Sequence, residues 1–79
     1  ELADDAATAD AVRAVITAEC GRPPHEVRLV GTGEGVVAYV TLALGTATLA
    51  EAHDTGGRVR RAIRGRVPGV VDAFVLSRP

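Results

Sequence analysis

The chain has 79 residues and a formal net charge of −1 at neutral pH. This length predicts a single small domain, 1–79, and the balanced charge excludes a general attraction to nucleic acid or anionic lipid. No apolar run approaches the ~20 residues of a membrane-spanning helix, so we expect no direct membrane insertion by these residues. The single cysteine, Cys20, excludes an internal disulfide and an all-cysteine metal site within one chain.

The N-terminal part of the chain predicts one helix after a short acidic lead-in. Residues 1–7 are predicted to be frayed, and Thr8 to Cys20 to be helical, because apolar residues recur at steps of three and four. Gly21 suits the position just beyond a helix end, and Pro23-Pro24 prevent continuation. The predicted inner face of this helix consists of Ala11, Val12, Val15, Ile16 and Cys20.

Two strands are predicted next, from His25 to Val30 and from Val36 to Leu44. The glycine-rich segment between them, Gly31–Gly35, favours a hairpin connection because glycine adopts the positive φ that tight turns need. The second strand has one continuous apolar face, which indicates burial on that side. That face consists of Val36, Ala38, Val40, Leu42 and Leu44.

The most informative stretch is a second helix with a defined start and stop. Thr48 and Glu51 have the spacing of a capping box, in which each side chain accepts a hydrogen bond from the other residue's amide. Pro68-Gly69 ends the helix, and Val70 to Leu76 is predicted to be a third strand followed by a tail, 77–79. The apolar stripe of this helix is predicted to contain Leu49, Ala52, Gly56, Val59, Ile63 and Val67.

The element order α-β-β-α-β predicts an α+β fold. A strand, a helix and a further strand form a crossover that makes the last two strands parallel, while the first two pair as a hairpin. Both helices then cover one face of a three-stranded mixed sheet. The opposite face is predicted to be apolar and to bind a partner, with self-association as the simplest case. It would carry Val37, Tyr39 and Thr41, with either Val71, Ala73 and Val75 or Val70, Phe74 and Leu76.

Three short motifs point to a known family. The second helix opens with Thr-Leu-Ala-Glu-Ala-His at 48–53, the first strand opens with His-Glu-Val-Arg at 25–28, and Val-Pro-Gly-Val occupies 67–70. With these motifs, the chain from Pro24 to Pro79 resembles the cytoplasmic C-terminal domain of the cation diffusion facilitator (cation efflux) family of metal transporters. The resemblance implies a ferredoxin-like, metallochaperone-like αββαβ domain. It also implies a cytoplasmic homodimer attached to a transmembrane unit that exports zinc or another divalent cation.

The resemblance also implies candidate metal ligands. His25 and His53 stand where the family often has ligands, whereas Val40, Leu76 and Arg78 stand where further ligands are common. Two imidazoles do not close a tetrahedral zinc site without carboxylates, water or a second chain. The sequence is therefore consistent with a metal-sensing domain and with a metal-independent dimerisation domain.

The same residues bear on three other functions. A small-molecule-binding regulatory domain of similar fold would place its ligand at the glycine turn, and a soluble metallochaperone would need paired cysteines. Cys20 and His25 lack an orienting third group, so we expect no enzyme. The arginines of the second helix are predicted to form a solvated face, because no aromatic residues alternate with them to stack on bases. They are Arg58, Arg60, Arg61, Arg64 and Arg66.

Overall fold

The structure, a computed structural model, describes residues 6–45 and 47–78. It contains the predicted αββαβ order, with a mixed sheet in the strand order β1-β2-β3. β1 and β2 are antiparallel, β2 and β3 are parallel, and the two helices pack on one face of the sheet. The elements are α1 (Ala6–Cys20), β1 (Glu26–Thr32), β2 (Gly35–Ala43), α2 (Leu49–Arg66) and β3 (Val70–Arg78).

At both ends of the described chain, the elements extend beyond their predicted boundaries. Ala6 and Ala7 already belong to α1, so the predicted frayed lead-in does not extend through residue 7. Residues 1–5 of that lead-in lie outside the described residues. At the other end, Ser77 and Arg78 were predicted as tail but form strand, because they pair with β2 through Leu42 and Ala43.

The hairpin between β1 and β2 is tighter than predicted. Its turn consists of Gly33 and Glu34 alone, since Thr32 and Gly35 already pair with each other. Thr32 supports the turn, because its Oγ1 donates to the Gly35 carbonyl at 2.9 Å and accepts from the Glu34 amide at 3.2 Å. The positive φ lies at Gly35, with a value of 146°, and not within the turn itself.

The start of α2 has the predicted capping box. The Thr48 amide donates to Glu51 Oε1 at 2.8 Å, and the Glu51 amide donates to Thr48 Oγ1 at 3.1 Å. The bond from the Thr48 amide lowers the pKa of the Glu51 carboxyl, since it favours the charged form. Val67 caps the C-terminal end of the helix, and its amide donates to the Ile63 carbonyl at 3.0 Å. Gly69, with a φ of 92°, then turns the chain towards β3.

The core lies between the sheet and the helices. The predicted apolar face of β2 is correct, since Ala38, Val40 and Leu42 are buried. In α2 the predicted stripe holds only in part, because Leu49 is 89% exposed. The fully buried residues of this helix, Val59 and Ile63, lie in its second half, so its first turn projects beyond the core. The buried apolar residues are Val12, Ile16, Leu29, Ala38, Val40, Leu42, Val59, Ile63, Val67, Val70 and Ala73.

A β-bulge resolves the ambiguity of β3. Pairing with β2 passes from Val36–Val70 to Val37–Asp72, so Val71 is an extra residue without a partner in the ladder. The sequence predicted that β3 has one face with Val71, Ala73 and Val75 and another with Val70, Phe74 and Leu76. Because of the bulge, neither set lies on a single face. Towards the helices β3 presents Val70, Ala73 and Val75, and towards the outside it presents Val71, Phe74 and Leu76.

The five arginines of α2 are exposed, as predicted, and three of them also form tertiary ion pairs that the sequence did not predict. Arg58 and Arg66 both contact the carboxylate of Glu19 on α1, each at 3.3 Å. Arg60 donates to both carboxylate oxygens of Asp72 on β3, at 2.9 and 3.3 Å. These arginines therefore connect α2 to its two packing partners. Neither described helix is long and apolar enough to cross a membrane.

The ion pair between Arg60 and Asp72 predicts a dependence of stability on pH. The hydrogen bond from Arg60 lowers the pKa of Asp72, and the Ala73 amide lowers it further. Because the folded state favours the charged carboxylate, its contribution to stability is present above the ordinary carboxyl pKa of about 4 and is lost as the pH falls through the folded-state pKa. We expect the difference in unfolding free energy between the wild type and Asp72→Asn to be largest near neutral pH. Urea unfolding at a series of pH values measures this difference.

The matched control for this experiment removes the other partner. In an Arg60→Gln background, Asp72→Asn is expected to change the unfolding free energy by a smaller and less pH-dependent amount. A difference between the wild type and Asp72→Asn that stays constant down to acidic pH would contradict the assignment.

Candidate functional site

The outer face of the sheet carries an exposed apolar patch, which we call the outer-face patch. Tyr39 and Phe74 are opposite each other in β2 and β3, and their rings stack with centroids 5.4 Å apart and an interplanar angle of 22°. Tyr39 is 44% exposed, Phe74 is 50% exposed and Leu76 is 67% exposed. Val71, brought to this side by the bulge, completes the patch.

The outer-face patch can bind another apolar surface. Exposed aromatic rings held by neighbouring strands present a large area at little cost in side-chain entropy, which suits them to protein interfaces. Glu26 and Arg28 of β1 border the patch beside Tyr39, Thr41 and Leu76, and supply charges of both signs at its edge. The patch thus has an apolar centre and a charged rim.

His25, the first candidate metal ligand, is held by two neighbours. Its amide donates to the Thr41 carbonyl at 2.8 Å, and its ring Nε2 lies 2.9 Å from Nη1 of Arg78. A guanidinium has only donors, and this assigns Nε2 as the acceptor in the contact and places the ring proton on Nδ1. The lone pair of Nε2 therefore accepts from Arg78 and is not available to another ligand.

His53, the second candidate ligand, lies in a different environment. It is exposed on α2 and lines a groove of about 560 Å³ between α2 and β3, together with Gly56, Phe74 and Leu76. His25 is not among the residues that line this groove. The groove also lies away from the glycine turn, where the alternative of a small-molecule-binding domain had placed its ligand.

The donor groups of the described residues do not form a closed metal site within one chain. Val40 is buried in the core, Leu76 offers no ligand atom, and Arg78 directs a cation at His25. Among residues 6–45 and 47–78, no cluster of three or more histidine, cysteine or acidic side chains is arranged to hold a metal ion. Metal binding by His25 and His53 therefore stays a prediction that requires ligands from elsewhere.

Cys20 and His25 do not have the properties of a nucleophile and its base. Burial raises the pKa of the Cys20 thiol, and the nearby positive charge of Arg58 only partly offsets this effect. The neutral thiol is therefore favoured, and a neutral thiol is a poor nucleophile. Nε2 of His25 meanwhile accepts from Arg78. This arrangement does not suit a catalytic pair.

Three contacts near these residues were missed by sequence reasoning. The His25–Arg78 contact joins residues 53 positions apart, and the ion pairs of Glu19 join separate helices. No periodicity or short motif carries such a signal, since it depends on how the strands and helices meet. The exposed aromatic pair, in contrast, was partly visible in the alternation of β2.

Comparison with known proteins gives matches to solved structures alone. No protein-family model matches the chain, and no curated protein sequence matches it. A histidine-to-alanine variant of the MamM C-terminal domain matches with a TM-score of 0.84 at 16% identity, covering 92% of this chain and 94% of that chain. A cadmium form of a MamM variant matches with a TM-score of 0.84 at 17% identity, covering 92% and 94%. A copper form of another variant gives 0.82 at 18% identity, covering 91% and 92%.

These matches extend over nearly the whole of both chains. MamM belongs to the cation diffusion facilitator family, which is the family that the motifs of this sequence resemble. The match is one of fold, since the sequence identity is low. This chain therefore has the ferredoxin-like αββαβ fold of the MamM C-terminal domain, a domain of a cation diffusion facilitator.

Proposed function

We propose that this chain is the cytoplasmic dimerisation and regulatory domain of a divalent cation efflux transporter of the cation diffusion facilitator family. The observation that carries this proposal is the outer-face patch on an αββαβ fold shared with the MamM C-terminal domain. The motif at 48–53 supports it independently. In this proposal the chain is not an enzyme, its partners are a second copy and the transmembrane domain of the parent transporter, and it lies on the cytosolic side of the membrane.

Self-association is the use that best fits the outer-face patch. A two-fold axis brings the same surface of both copies together, so a patch with an apolar centre is complementary to itself. Phe74 and Tyr39 lie at that centre, where burial of aromatic rings contributes most to binding. The opposite charges of Glu26 and Arg28 at the rim can then pair between copies and set their orientation.

A charge placed in the patch tests the dimer. We expect the wild type to be dimeric at micromolar concentration and Phe74→Asp to be monomeric, because an unpaired carboxylate would be buried at the interface. Light scattering coupled to size-exclusion chromatography measures the mass, and circular dichroism checks that the variant is folded.

Ala14→Asp is the matched control. Ala14 is exposed on α1, on the other side of the molecule from the patch, so this variant adds the same charge without touching the proposed interface. It is expected to stay dimeric. A monomeric wild type, or a Phe74→Asp variant that remains dimeric, would refute the proposed interface.

The role of metal is a separate part of the proposal. The comparison structures include copper and cadmium forms of MamM variants, and zinc is the cation that the sequence resemblance implies. We propose that dimerisation here does not require metal, because the Arg78 contact and the absence of a three-ligand cluster in the described part of the chain both disfavour a site. The competing proposal is a sensor in which His25 and His53 bind zinc or another divalent cation with ligands from the second copy.

A further inference from the structure

We propose that the guanidinium of Arg78 is a built-in cation at His25 that ties the two outer strands together, at a residue that the family resemblance makes a candidate metal ligand. The backbones of both residues are anchored to β2. The His25 amide donates to the Thr41 carbonyl at 2.8 Å, and the Arg78 carbonyl accepts from the Leu44 amide at 2.9 Å. The Arg78 side chain then reaches from β3 to His25, the residue just before β1, and donates to its ring.

The hydrogen bond from Arg78 and metal coordination at Nε2 of His25 exclude each other. A neutral imidazole has one unprotonated ring nitrogen, and in His25 this is Nε2, which accepts from Arg78 at 2.9 Å. A metal ion would need the lone pair of an unprotonated ring nitrogen. The same lone pair cannot serve a guanidinium and a metal ion together. Arg78 therefore blocks coordination at Nε2 as long as it holds its place.

Arginine suits this role because its charge depends neither on pH in the physiological range nor on the concentration of divalent cations. The guanidinium stays protonated throughout the physiological pH range, and it is not released when the concentration of free cations falls. The link between the end of β3 and the start of β1 is therefore expected to persist with and without divalent cations. In consequence, the domain should not respond to cation concentration through His25. This conclusion does not depend on the dimer and can fail separately from it.

The tautomer and zinc response of His25 test the proposal. Long-range ¹H–¹⁵N NMR of the histidine rings at neutral pH distinguishes the two tautomers, and the signals of His25 are assigned by their loss in His25→Ala. We expect the Nδ1–H tautomer in the wild type, with no change on addition of zinc chloride. In Arg78→Ala we expect the Nε2–H tautomer to appear and the ring signals of His25 to shift with zinc.

Two further variants complete the design. Arg61→Ala removes an exposed arginine from α2, outside the outer-face patch, and should behave as the wild type, which separates the contact from a general change in charge. Arg78→Gln removes the charge while keeping a longer side chain. It takes the place of Arg78→Ala in the zinc titration if that variant does not fold. An Nε2–H tautomer in the wild type overturns the proposal. So does a zinc response of His25 that is the same with and without Arg78, whether both proteins respond or neither does.

Discussion

Replacement of Ile63 by alanine is expected to lower the free energy of unfolding by about 3 kcal/mol, because it removes a large side chain from the centre of the core. Ile63 has no exposed surface and lies on α2 where the helix packs towards the sheet. A domain of 79 residues has a total unfolding free energy of about 4–12 kcal/mol, so this one change removes a large part of it. Urea unfolding at a single protein concentration measures the loss.

Leu49→Ala is the matched control for Ile63→Ala. The sequence places both residues on the same apolar stripe of α2, but Leu49 is 89% exposed in the structure. Its truncation is expected to change the unfolding free energy by no more than about 0.5 kcal/mol. Equal losses in the two variants would show that the first turn of α2 is buried, contrary to the structure.

Gly35→Ala is expected to have a comparably large effect, with a loss of about 3 kcal/mol, for a reason that concerns the backbone. Gly35 has a φ of 146°, which side chains rarely tolerate, and an added Cβ would lie 2.8 Å from both the Gly69 carbonyl oxygen and Val71 Cγ1. The Gly69 carbonyl also accepts from the Val36 amide at 2.9 Å, so it is not free to move away. Thermal and urea unfolding measure the loss.

The neighbouring glycine provides the control. Gly33 lies in the turn itself, its φ is not positive, and an added Cβ would meet no atom within 4 Å. Gly33→Ala is expected to leave stability unchanged or slightly raised, because alanine restricts the unfolded chain. If Gly33→Ala proves as damaging as Gly35→Ala, the positive φ belongs in the turn and the pairing of β1 with β2 is misplaced.

Most of the architecture was predictable from local patterns. The capping box at Thr48 and Glu51 marked the start of α2, Gly21 marked the end of α1, and the alternation in β2 identified its buried face. These features depend on residues within a few positions of each other, and their hydrogen bonds or side-chain directions follow from backbone geometry. The fold class followed from the order of the elements.

The candidate site was less predictable. The apolar outer face was expected from β2, but the contribution of β3 was ambiguous because nearly every residue of that strand is apolar. The bulge at Val71 determines which side chains of β3 point outwards, and no local sequence pattern predicts this bulge. The resemblance made His25 and His53 candidate ligands of one metal site, and their joint binding stays a prediction. In the structure of one chain, His25 contacts Arg78 and His53 lines a groove that His25 does not line.

The sequence by itself determined the helices, the strands, their order and the apolar face of β2, because short-range periodicity and capping set these features. Only the tertiary structure decided the exposure of Leu49, the pairing of Glu19 with two arginines and the contact between His25 and Arg78. Those features join residues that are far apart in the chain, or depend on where a helix overhangs the sheet. Their geometry is set by the packing of whole elements, which no short stretch of sequence encodes.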